Sequence, residues 1–64
     1  MELEKKYIYQ VYVNGSFSKA AEALFVTQPA LSIAIRKVEK AIGAALFHRG
    51  QRPLTLTPVG EMYI

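Results

Sequence analysis

The sequence has no cysteine and no tryptophan, its five acidic residues are all glutamate, and His48 is its only histidine. Without thiols there is neither a disulfide framework nor a thiolate metal site to supplement a small core. Without aspartate, and with one imidazole, a Ser-His-Asp triad cannot be assembled and little is left for a metal site. Long apolar runs are also missing. The longest, Ala41 to Phe47, is interrupted by Gly43 and falls far short of the roughly 20 residues that span a bilayer. Glu2, Glu4, Lys5 and Lys6 precede any apolar run, so a secretory signal is not expected. The expectation is a soluble intracellular module that is not an enzyme.

What the sequence does have is apolar content. At 64 residues it allows one small domain, and a chain of this size buries only about 60% of the surface that its unfolded form exposes. Yet 52% of its residues are hydrophobic, and mean hydropathy is +0.14. This surplus implies a surface meant for a partner or the end of a longer chain; the alternative is a tightly packed monomer rich in tyrosine. Charge is unevenly spread. Residues 1–35 hold three lysines (5, 6, 19) against three glutamates (2, 4, 22), which sums to zero. Residues 36–60 hold Arg36, Lys37, Lys40, Arg49 and Arg52 against Glu39 alone, which sums to +4. A basic second half points toward a polyanion.

Leu3, Tyr7, Ile8, Val11 and Tyr12 recur at helical spacing, predicting a first amphipathic helix over about 2–13 that stops at Asn14-Gly15. Tyr7 and Tyr12 are assigned to its core face, and Tyr9 and Tyr63 to packing between the first and last helices. Ser16 or Ser18 can cap a second, short helix ending near Leu24, with Ala20, Ala21 and Leu24 inward. Thr27 as N-cap and Pro29 in the first turn open a third helix, which Gly43 ends near Ile42. At about 100° per residue, Leu31, Ile35, Val38 and Ile42 form one stripe. Pro29, Ile33, Arg36, Lys37 and Lys40 face the other way, flanked by Ser32. Leu46–Arg49 and Leu54–Leu56 read as short strands around the polar turn Gly50–Pro53. Thr57-Pro58 opens a fourth helix that must pack against something, because a few residues cannot hold a helix alone.

Two helices joined by a tight turn, a basic outward face on the second and then a hairpin give a mainly α winged helix-turn-helix. The ordered segments Gly15–Ala21, Thr27–Ser32, Ile35–Glu39, Leu46–Arg49 and Leu56–Glu61 resemble the LysR-type transcriptional regulators over nearly the whole chain. The resemblance implies residues 1–57 as a winged helix-turn-helix DNA-binding domain. It implies residues 58–64 as the start of a linker or dimerisation helix, with the effector-binding domain absent. It also implies a homodimer through the first and linker helices, a role with RNA polymerase and a cytoplasmic, nucleoid-associated location. No cofactor is expected in this chain, because a small-molecule effector would bind the missing C-terminal domain.

Carried over to this sequence, Thr27, Gln28, Pro29, Ser32 and Arg36 match the recognition-helix contact region, and Arg49, Arg52 and Pro53 match the wing. Lys19, Lys37 and Lys40 complete the candidate DNA-binding set. Ile33 departs from the resemblance, since relatives often carry a basic residue there; contact with a thymine methyl and an inert place at the groove mouth stay open. Gln28 can pair with adenine N6 and N7 or serve the backbone, and Thr27 is better suited to capping than to base contact. His48 has no second ligand candidate nearby. The expected function is sequence-specific binding of double-stranded DNA. The competing one is a winged-helix protein-interaction module. The unfinished last helix implies dimerisation or marginal stability.

Overall fold

A computed structural model describes residues 2–64, which order as α1 (Glu2–Asn14), α2 (Phe17–Leu24), α3 (Gln28–Ile42), β1 (Phe47–His48), β2 (Thr55–Leu56) and α4 (Pro58–Glu61). The boundaries follow from the caps. Ser16 Oγ accepts from the Lys19 N–H at 3.2 Å, and Thr27 Oγ1 accepts from the Ala30 N–H at 3.2 Å. Each satisfies one of the N–H groups that a helix start leaves without an internal partner. At the other end of α3, Gly43 takes a left-handed conformation (φ 75°) and its N–H bonds Glu39 O at 2.8 Å. α2 ends in the same way on Phe25 (φ 58°), a residue that pays a steric cost glycine would avoid.

The three long helices meet around Ile8 and Val11 of α1, Ala20 and Ala21 of α2, and Leu31 and Ile35 of α3, with Leu46 and Phe47 closing the core from below. The two alanines let α2 approach its neighbours closely, and each fully buried Ile, Leu or Val side chain contributes about 1.5–3 kcal/mol. Two assignments on α1 are corrected. Leu3 and Tyr12 are exposed rather than part of the core face. At about 100° per residue they stand on opposite edges of a half-circle, with Val11, Tyr7 and Ile8 between them, and so small a body covers only the middle. Tyr63 is half-buried against the core, whereas Tyr9 is exposed and lies 6.2 Å from the Tyr12 ring.

The wing is an antiparallel pair with Phe47 opposite Leu56 and His48 opposite Thr55. Its strands are shorter than expected because the flanking backbone bonds elsewhere. Leu46 N–H donates to Glu39 Oε2 at 2.8 Å and, although Thr57 N–H continues the pairing in register by donating to Leu46 O at 3.0 Å, Leu54 N–H donates to Gly15 O at 2.9 Å. The last bond fastens the wing to the α1–α2 turn. α4 is short but anchored: Thr57 Oγ1 donates to Ala45 O at 2.6 Å and accepts from the Gly60 N–H at 3.0 Å. Gly60 is buried so tightly that a Cβ there would be driven into the Leu46 carbonyl.

Candidate nucleic-acid interface

α3 turns Leu31 and Ile35 into the core and leaves Gln28, Pro29, Ala30, Ile33, Arg36, Lys37 and Lys40 exposed, with Ser32 half-buried. This is the polarity that its periodicity predicts. The Thr27 hydroxyl is occupied by capping, in keeping with its residue type.

Beside this face runs an open groove of about 830 Å³, walled by the α1–α2 turn and start of α2, the first half of α3, and the wing. It brings together Lys19, Gln28, Ser32, Arg36, Arg49, Arg52 and Pro53, residues from three separate stretches of the sequence. Among the described residues no carboxylate lines it, although four cationic side chains do. Thr27, Pro29, Ile33, Lys37 and Lys40 are not part of its lining. The start of α2 also presents Ser16–Lys19 to the groove, and a helix N-terminus carries partial positive charge. A concave, cationic cleft next to a protruding polar helix face suits a backbone of phosphates flanked by base edges.

The four cations are not equivalent. Arg49 Nη1 bonds Glu39 Oε2 at 3.0 Å, and its guanidinium lies 5.0 Å from the Phe17 ring centroid. Phe17 in turn packs edge-on against Phe47 at 6.0 Å. Arg49 thus ties α3, α2 and β1 together, while Lys19, Arg36 and Arg52 make no ion pair among the described residues. Sequence reading did not find the Glu39–Arg49 pair, because ten positions separate its members and no periodic pattern links them. Asn14, Ser18 and Gln51 also line the groove, although the sequence marks them only as a helix stop, a capping candidate and a turn residue. Their positions at a helix end, a helix start and a turn give no local signal of DNA contact beyond polarity.

The architecture now has a precedent. Residues 5–61 match the family described as bacterial regulatory helix-turn-helix protein, lysR family. The chain belongs to this family. Among its LysR-family relatives, the probable RuBisCO transcriptional regulator of Porphyra purpurea is 46% identical over 51 residues, 80% of this chain and 16% of that protein. The HTH-type transcriptional regulator YkuM of Bacillus subtilis is 45% identical over 65 residues, covering 100% of this chain and 22% of its own length. The chain therefore spans about a fifth, or less, of the curated relatives it matches. The fold coincides with the BenM_DBD complex with benA site 1 DNA at a TM-score of 0.88 and 38% identity, covering 94% of this chain and 67% of that one. It coincides with the CbnR_DBD–DNA complex at 0.86 and 30%, covering 94% and 69%. The fold is the winged helix of LysR-family DNA-binding domains, and the family is one of transcription regulators rather than an enzyme class. Among the described residues no helix is long and apolar enough to cross a membrane.

Proposed function

We propose that this chain is the DNA-binding end of a LysR-type transcription regulator and recognises a specific sequence in double-stranded DNA. The observation that carries the reading is the carboxylate-free groove, where Lys19, Arg36 and Arg52 border the outward face of α3. In this reading α3 enters the major groove. Gln28, Ser32 and Arg36 reach base edges or phosphates, and Arg52 beside Pro53 carries the wing to the DNA backbone. Lys37 and Lys40 extend the cationic rim along α3, and Thr27 and Pro29 set the helix start. Residues 1–57 form the reader, and residues 58–64 begin the linker helix. Exposed Leu3, Tyr9 and Val13 on α1, with Met62 and Ile64 after α4, suit burial in a homodimer through those two elements. The chain carries no reaction and needs no cofactor. A small-molecule effector and RNA polymerase act with the whole regulator in the bacterial cytoplasm, at the nucleoid.

The test is selection of random duplexes on the protein, followed by affinity measurements across a salt series. A duplex should be enriched, and log K should fall against log salt with a slope of about −4 per protomer for four to five neutralised phosphates. Arg52→Ala should flatten the slope by about 0.9. An absence of enrichment, together with a slope near zero, would reject the reading.

A further inference from the structure

The exposed face of α3 is not uniformly polar. Its cations lie in the second half, at Arg36, Lys37 and Lys40, and the first half carries Pro29, Ala30 and Ile33. Pro29 and Ala30 stand four and three positions before Ile33, the spacing at which helical side chains are neighbours. The three thus form one apolar patch, with Gln28 at its start and Arg36 and Lys37 a turn beyond. Ile33 is 58% exposed and takes no part in the core, so folding does not account for it. A β-branched residue on a solvated helix face is also a poorer helix former than alanine.

An apolar patch cannot bind phosphate. In a major groove, the apolar group that a base edge presents is the C5-methyl of thymine. 5-Methylcytosine carries its methyl on the same ring carbon. Resting on the DNA-binding reading above, we propose that Ile33, supported by Pro29 and Ala30, is a receptor for a pyrimidine C5-methyl group. Thymine is read at one step of each half-site by its methyl, and 5-methylcytosine is preferred over cytosine at that step. The surrounding cations hold the backbone while the patch sheds water against the methyl. The cations and Gln28 set affinity and register; the patch sets the identity of one base.

The test is a uracil scan. Each thymine of the selected duplex is replaced singly by deoxyuridine, which removes the methyl and leaves the pairing edge unchanged, and affinity is read at fixed salt. One position per half-site should lose about fourfold, the worth of one buried methylene-sized group. Ile33→Ala, at an exposed site, should keep the helical circular dichroism and bind thymine and uracil duplexes equally. At the same position, 5-methylcytosine should exceed cytosine about fourfold for the unsubstituted protein only. A duplex that binds well but gives a flat uracil scan overturns the proposal and leaves DNA binding standing. A uracil loss that persists in Ile33→Ala also overturns it, and a missing 5-methylcytosine preference overturns its extension to methylated cytosine. If no duplex is retained, both readings fall together.

Discussion

Glu39 holds two kinds of interaction on one oxygen, and two substitutions separate them. Glu39 Oε2 accepts the Leu46 N–H at 2.8 Å and Arg49 Nη1 at 3.0 Å, and the side chain is only 13% exposed. Leu46 itself is fully buried, so its N–H cannot turn to water when the carboxylate is removed. Glu39→Ala should therefore cost about 1–3 kcal/mol for the orphaned donor, plus up to about 1 kcal/mol for the partly exposed ion pair. In a domain of this size, at about 4–8 °C per kcal/mol, that lowers Tm by roughly 4–30 °C. Glu39→Gln keeps an acceptor for Leu46 and loses only the charge, so Tm should fall by no more than about 4–8 °C. Both substitutions release Arg49 toward the groove and raise net charge from +3 to +4. The glutamine variant should consequently bind duplex DNA with a salt slope steeper by up to about 0.9. Thermal denaturation followed by far-UV circular dichroism, and fluorescence anisotropy across a salt series, read the two effects. Equal damage from Gln and Ala would refute the reasoning, because it would mean that the backbone anchor carries none of the stability.

Gly60→Ala should lower stability by about 1–3 kcal/mol or prevent folding, since its methyl would meet the Leu46 carbonyl; denaturant unfolding checks this. Phe25→Asn should raise stability by roughly 0.5–1 kcal/mol, because Phe25 is 95% exposed at φ 58° and asparagine tolerates that region better. Calorimetry showing a loss instead would reveal a contact for the ring. Gly15→Ala places a Cβ 2.8 Å from Pro53 Cβ at φ +66°, so it should loosen the wing. The expected readout is faster hydrogen exchange at the Leu54 amide, which now bonds Gly15 O.

The caps and the third helix were readable from residues alone. Thr27 brings a capping hydroxyl, Pro29 fits the first turn where its missing N–H is no loss, Gly43 takes the left-handed end, and Leu31 and Ile35 repeat at the helical period, so α3 and its outward face followed directly. The inward sector of α1 did not follow. Apolar residues surround much of that helix, and periodicity cannot say which part of a wide stripe a small core will cover. Phe25 as a left-handed cap was hidden because nothing about phenylalanine favours that conformation. The groove was half visible: its cations could be counted, but the fold brings Lys19 and Arg52 to one cleft, and the Gly15–Leu54 bond that fastens its wall is nonlocal.

Chemical-shift mapping of isotope-labelled protein titrated with its selected duplex tests most directly which surface meets DNA. The largest shifts should fall on Gln28, Ser32, Arg36 and the Gly50–Arg52 turn. Shifts centred instead on Leu3, Tyr9 and Val13 of α1, with α3 unmoved, would contradict the account.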